Sequence, residues 1–169
     1  MIVAFETPLG RCAVRWTGAG IASVRLPSPG TETLPRLGDR RDVPAAVVAA
    51  IEGIVAVLRG DSSDLRGVTL DERGIDPFRR AVYAATREVR PGTTTTYGEI
   101  ARAIRRPDAA RDVGAALARN PFPIIVPCHR VLGANGKLTG FSAPGGLATK
   151  RRMLALEGAP GFGQQVLFG

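Results

Sequence analysis

The chain has 169 residues, 44% hydrophobic and 22% charged, with mean hydropathy near zero, which excludes a disordered or collagen-like chain and fits a soluble globule with a packed core. Its formal charge of +8 is unevenly held: residues 1–72 carry 8 Lys/Arg against 9 Asp/Glu, and residues 73–169 carry 15 against 6. All but Lys137 and Lys150 of the 23 basic residues are arginines, whose planar forks suit phosphate, so the expected partner of the second half is a polyanion.

The first residues, Met1-Ile2-Val3-Ala4-Phe5-Glu6, lack the basic start of a signal peptide. The longest near-apolar stretch, Val43 to Ile51, is about half of a bilayer crossing. No membrane contact and a cytoplasmic location are expected, on the nucleoid if the source is prokaryotic. Two cysteines, Cys12 and Cys128, with a single histidine, His129, are too few for a disulfide framework or a four-ligand zinc site.

Along the chain, β-type runs at Ile2–Glu6, Arg11–Trp16 and Ile21–Leu26, separated by Pro/Gly turns, predict a three-stranded meander. A Pro/Gly-rich loop follows to residue 43. Pro44–Leu58 reads as an apolar helix closed by Gly60, and Asp64–Leu70 as another short strand. Residues 1–72 are therefore expected to form a small α/β lobe with a short antiparallel sheet.

From residue 73 the texture is helical. Asp76 can cap a helix from Pro77 to about Arg90, with Phe78, Val82, Ala85 and Val89 on one side and Pro91-Gly92 as its stop. Thr96 can cap Tyr97–Arg105. Pro107-Asp108 then breaks and re-caps, and Ala109–Arg119 forms the next helix, which makes a helix-turn-helix pattern. Phe122–Val126 is a buried-type run. Val131–Phe141 contains Asn135-Gly136, a hairpin signal that would make a wing, and Gly146–Glu157 is a basic helix before an irregular tail from Gly158 to Gly169. The expectation for residues 73–169 is a mainly helical, winged-helix-like lobe.

Pro127-Cys128-His129-Arg130 carries the chemistry. A cysteine attacks as its thiolate, a minor species at neutral pH, so it needs a base or a positive local field, and His129 and Arg130 can supply both. On a regular strand neighbours point to opposite faces, so cooperation requires a turn after Val126. From the pair alone, a buried structural cysteine beside a surface histidine is the commoner arrangement.

Ile124-Ile125-Val126-Pro127-Cys128-His129-Arg130-Val131 resembles the active-site signature of the O6-alkylguanine-DNA alkyltransferases, or methylated-DNA-protein-cysteine methyltransferases. The similarity continues through Tyr97-Gly98-Glu99-Ile100-Ala101, Ala109-Ala110-Arg111-Asp112-Val113-Gly114, Asn120-Pro121, Gly146-Leu147-Ala148-Thr149-Lys150 and Leu156-Glu157-Gly158, most of residues 76–158. The N-terminal lobe carries no specific motif. The resemblance implies a ribonuclease-H-like N-terminal lobe and a protein that takes the alkyl group of O6-alkylguanine, and of O4-alkylthymine in some members, onto Cys128 once and is then spent.

By the same resemblance, His129 activates the thiol through a water, Glu157 orients the imidazole and Asn120 ties down the cysteine turn. Double-stranded DNA is bound through the minor groove by a monomer, with neither cofactor nor metal. The target nucleotide is flipped out; Arg111 fills its place, Ala109 and Ala110 let the helix approach, Tyr97 crowds the phosphate, and Arg119 adds a DNA contact. Tyr97, Pro123, Val131, Phe141 and Ser142 wall the guanine pocket, the Ser142 N–H near O6. Two departures stand out: the loop Gly140–Gly146 is about two residues longer than in many members, with Phe141 where tyrosine is common, and Phe78–Tyr83 lacks the usual glutamine and tryptophan. The rivals are a lesion-binding relative without repair, which would lack Cys128, a winged-helix regulator with an inert cysteine, and a Cys-His hydrolase.

Overall fold

The computed structural model describes residues 1–162, so the expectation for the last seven residues of the tail falls outside the described residues. β1 (Ile2–Thr7), β2 (Gly10–Thr17) and β3 (Gly20–Arg25) form an antiparallel sheet in the order β1-β2-β3, with a bulge between Arg15 and Trp16. Positive φ angles at Gly10 and Gly20 let the chain reverse and re-enter the sheet. At Gly20 a Cβ would also lie 2.6 Å from the Thr69 carbonyl oxygen, so only glycine admits the segment that packs there. The loop after β3 contains two short 3-10 turns, and α1 (Ala45–Leu58), with Pro44 at its N-cap, lays Val47, Ile51, Ile54 and Leu58 into the core.

The expected strand at Asp64–Leu70 does not form. The Asp64 carboxylate accepts from the Arg66 N–H, Val68 N–H reaches Leu65 O, and these turns stop the chain from extending; only Leu70 meets β3, through a bridge to Ile21.

α2 (Pro77–Arg87) is capped by Asp76, whose carboxylate accepts from Arg79 N–H at 2.9 Å, and it ends three residues before Arg90 in a tightened last turn ahead of Pro91. It buries Val82, Tyr83 and Thr86 rather than Phe78, Ala85 and Val89, which are only partly covered. β4 (Thr95–Thr96) leads into α3 (Tyr97–Ala103), with the Thr96 hydroxyl accepting from Glu99 N–H. α3 stops two residues before Arg105, which takes the left-handed conformation while Arg106 N–H bonds back to Ala101 O. α4 (Ala110–Ala118) follows. Its N-cap is Ala109 without a side-chain bond, because Ala109 N–H closes a turn onto Arg106 O and puts the helix start beyond the reach of Asp108.

β5 (Val131–Leu132) pairs in parallel with β4, so the predicted hairpin across Val131–Phe141 is not built. Asn135 and Gly136 do turn with positive φ and Gly133 N–H reaches Lys137 O at 2.8 Å, but the flanks are engaged elsewhere. α5 (Gly146–Leu156) closes the described chain. A small antiparallel sheet thus sits beside a mostly helical region, and one apolar core runs through both. Among the described residues no helix is long and apolar enough to cross a membrane.

Candidate active site

The run Phe122–Val126 is buried throughout yet not extended, because Ile124 adopts φ 76° and Val126 N–H closes back onto Phe122 O. Asn120 clamps this turn at both ends: its side-chain carbonyl accepts from Phe122 N–H at 2.9 Å and its Nδ2 donates to Val126 O at 2.9 Å. A left-handed β-branched residue costs about 1–2 kcal/mol, a cost the surrounding burial offsets. The chain leaves this knot into a 3-10 turn, Cys128–Arg130, which supplies the non-strand backbone that a cooperating Cys-His pair needs.

Cys128 is partly open to a cavity of about 810 Å³ that Tyr97, Arg111, Asn120, Pro123, Phe141 and Ser142 also line. Ala110 adds a small surface beside Arg111. Ser142 Oγ donates to Ala118 O at 2.6 Å, and Tyr97 OH donates to Thr139 O at 3.2 Å, so α3 and α4 each hold the segment Thr139–Ser142 by one bond.

His129 is fully buried. Its Nε2 meets Glu157 Oε1 at 2.7 Å and its Nδ1 has no partner, so when the neutral ring donates from Nε2 the Nδ1 lone pair is left to accept a proton. Glu157, just beyond α5 with its side chain wholly buried, also accepts from Arg130 Nε at 2.9 Å and Nη2 at 2.7 Å. Burial opposes ionisation of Glu157, but His129 and Arg130 outweigh it and hold the carboxyl down to about 2. Burial pushes the imidazole below its ordinary value and the Cys128 thiol above its own, with Asn120 and the Lys150 charge pulling the thiol the other way.

The sign of the pH response follows. A histidine whose folded value lies below its ordinary 6.5 contributes stability that is fully present above that value and lost as pH falls through the folded one. Glu157 adds a second loss between its ordinary 4.5 and about 2. Urea melts from pH 8 to pH 4 are expected to show stability falling below about pH 6.5, and His129→Gln should flatten that first limb; a limb unchanged in the variant would assign the loss to other groups.

Three sequence expectations need correction, and a fourth residue, Arg119, lies apart from the pocket. Val131 does not line the pocket: it is fully buried and only its carbonyl serves the site, accepting from Lys150 Nζ at 2.7 Å. Ala109 is buried at the α4 N-cap, so Ala110 presents the small surface there instead. Arg119, at the C-cap of α4, lines a separate cavity with Arg79, Arg106 and Asp112, about two helical turns from Arg111. Arg130 does not face the thiol; its guanidinium is spent on Glu157 and on Val89 O at 2.7 Å.

Two contributors went unread in the sequence. Residues Ser23–Leu26 of β3 and its end wall the same cavity, brought there by Val24 N–H donating to Pro121 O at 2.9 Å, and alternation alone carries no signal for that. The other is Lys150, whose signal was that it is one of only two lysines among 23 basic residues. Among the described residues no cluster of three His, Cys, Asp or Glu could hold a metal ion.

Residues 77–159 match the family model described as 6-O-methylguanine DNA methyltransferase, DNA binding domain. A methylated-DNA–protein-cysteine methyltransferase of Methanosarcina acetivorans is 55% identical over 82 residues, 48% of this chain and 51% of that protein. The match thus spans about half the length of such curated relatives. Among solved structures, Mycobacterium tuberculosis OGT in complex with DNA is similar at 36% identity and TM-score 0.74 over 95% of both chains. The O6-methylguanine-DNA methyltransferase of the archaeon Pyrococcus kodakaraensis is similar at 26% identity and TM-score 0.69, covering 94% of this chain and all of the other.

Proposed function

This chain belongs to the O6-methylguanine-DNA methyltransferase family, and we propose that it reverses alkylation damage directly, moving the alkyl group from O6 of a flipped-out guanine onto its own Cys128, once per molecule. The observation that carries this reading is the placement of the thiol at the wall of the large cavity, on the same turn as a buried imidazole with a free Nδ1. The sulfur attacks the alkyl carbon as the thiolate, an S–C bond forms as the C–O6 bond breaks, and the electron pair leaves on O6. The proton shed by the thiol passes to His129 Nδ1 and balances the one that the departing guanine takes up.

Glu157 keeps the imidazole in the tautomer that can accept, with Asn120 holding the turn in place. Tyr97, Pro123, Phe141 and Ser142 wall the base pocket. The α3–α4 pair supports the helix-turn-helix reading, with α4 entering the minor groove of double-stranded DNA and Arg111, exposed on its first turn at the cavity rim, replacing the extruded base. The antiparallel sheet with α1 supports the ribonuclease-H-like reading of residues 1–72, and the charge division supports residues 73–169 as the DNA-binding part.

Intact-protein mass spectrometry after incubation with an O6-methylguanine duplex tests the proposal: one methyl per molecule is expected, and repeated turnover or a methyl on Cys12 would sink it. Arg111→Ala is expected to slow transfer from the duplex at least about tenfold, as the loss of a contact worth a few kcal/mol in flipping implies, and to leave transfer from free O6-alkylguanine base nearly unchanged. Equal losses on both substrates would instead make Arg111 a support of the pocket.

A further inference from the structure

Lys150 lies on α5 with no exposed surface, and among the described residues it pairs with no carboxylate. Its three donors are all used on main-chain oxygens: Val131 O at 2.7 Å, Thr139 O at 2.9 Å and Gly140 O at 3.4 Å. The ammonium also sits 5.8 Å from the Tyr97 ring centre and 6.0 Å from that of Phe141, the two aromatic walls of the cavity that holds Cys128. A buried charge without a counter-ion is costly, and three carbonyl dipoles with two ring faces offset only part of that cost.

The charges around the thiol sum differently from what the sequence order implies. Arg130 and Glu157 balance in charge, and burial keeps His129 beside them neutral, so this network offers a proton acceptor and carries no net charge. Tyr83 and Tyr97 are neutral, and Arg25 on β3 and Arg111 on α4 reach the cavity only at its exposed, solvent-screened rim. Among the described residues Lys150 is the buried cation at this site that no carboxylate neutralises, since Arg130, the other buried one, is paired with Glu157.

Resting on the reading of Cys128 as the acceptor, we propose that the Lys150 ammonium is the charge that holds the Cys128 sulfur in its reactive anionic form, while His129 only takes the proton away. Lys150 is thus a positioning residue that also fixes the pocket loop through Thr139 and Gly140. Burial disfavours thiolate and ammonium when each stands alone, and with the ammonium held behind Thr139, Gly140, Tyr97 and Phe141 of the cavity that Cys128 lines, each offsets part of the other's cost. Burial lowers the Lys150 ammonium to about 8 against the pull of the Cys128 charge, and burial raises the thiol against the pull of Asn120 and then of the Lys150 charge.

The test reads the thiol rather than repair. The pH dependence of Cys128 carbamidomethylation by iodoacetamide, located by peptide mass in the full chain, is expected to shift upward by at least about one pH unit in Lys150→Met, with a rate at pH 7 at least about tenfold lower. Lys150→Arg, which keeps the charge, is expected to stay near the wild-type profile even where the larger head displaces the loop. An unchanged profile in a folded Lys150→Met overturns the proposal, because loss of loop anchoring alone would alter methyl transfer without moving the thiol.

A second measurement holds should Lys150→Met fail to fold. With only Lys137 and Lys150 in the chain, carbon-13 lysine labelling gives two side-chain resonances, and the buried one is expected to titrate at lower pH in Cys128→Ala than in wild type. A titration indifferent to Cys128 overturns the proposal. Normal thiol behaviour with no methyl uptake from alkylated duplex would refute the repair reading and leave this one standing.

Discussion

Cys128→Ser is expected to accept no methyl group at all from alkylated DNA while holding that DNA with an affinity within a factor of about two of wild type, since affinity for a duplex comes mainly from phosphate contacts. The hydroxyl has the shape of the thiol, but it remains protonated at any pH that the fold tolerates, and neither His129 nor a nearby cation can populate an alkoxide. The other cysteine offers no bypass. Cys12 is fully buried in β2 and its thiol is pushed up to about 11, chiefly by burial. Intact mass and fluorescence anisotropy, run in parallel, check both halves; residual methylation of the serine variant would remove Cys128 from the reaction, and lost DNA binding would show that the substitution had damaged more than the nucleophile.

Glu157→Gln is expected to lose at least about a hundredfold in single-turnover transfer, the low end of what a positioned general base contributes, and about 3–5 kcal/mol of stability. Both losses share one origin. The Glu157 carboxylate neutralises Arg130 and at the same time selects the His129 tautomer, all three side chains being buried or nearly so. An amide can accept from His129 Nε2 but leaves Arg130 as an uncompensated interior cation. For a chain of this size the stability loss corresponds to a melting temperature lower by roughly 10 °C. Differential scanning calorimetry and rapid-quench transfer measure the two effects separately. A variant that melts with the wild type would mean that Arg130 finds another partner, and unchanged transfer would deny Glu157 its orienting part.

What the sequence let one read, and what it hid, divides along physical lines. Local rules decided the strands and the starts of α2 and α3, because Gly10, Gly20, Asp76 and Thr96 act on backbone within three residues of themselves. Asp108 misled because the turn before α4 is closed by main-chain bonds and leaves the side chain one position out of reach. The wing failed for a non-local reason: Asn135-Gly136 turns as its type demands, but β4 had already engaged Val131 and Leu132. In the site, the contiguous residues Cys128 and His129 were legible from adjacency. Arg130 was misassigned because nearness along the chain says nothing of which way a guanidinium turns, and Lys150 was missed because its task is defined by the carbonyls of residues 131, 139 and 140, on which no side-chain pattern bears.

Beside side-chain contacts such as the exposed Arg66–Glu88 pair at 3.1 Å, several joints between the N-terminal part and the rest use main-chain atoms of residues 1–72. Val24 N–H meets Pro121 O, Arg87 Nη2 grips the carbonyls of Leu65 and Val68 at 2.8 Å each, and Arg152 reaches Pro8 O at 2.6 Å. On the N-terminal side each of these bonds asks for a backbone path and for no particular residue. Selection can therefore rewrite residues 1–72 so long as the path and a packed interior survive, whereas the active-site turn tolerates few alternatives. Drift has free rein where the architecture is held by atoms that every amino acid shares.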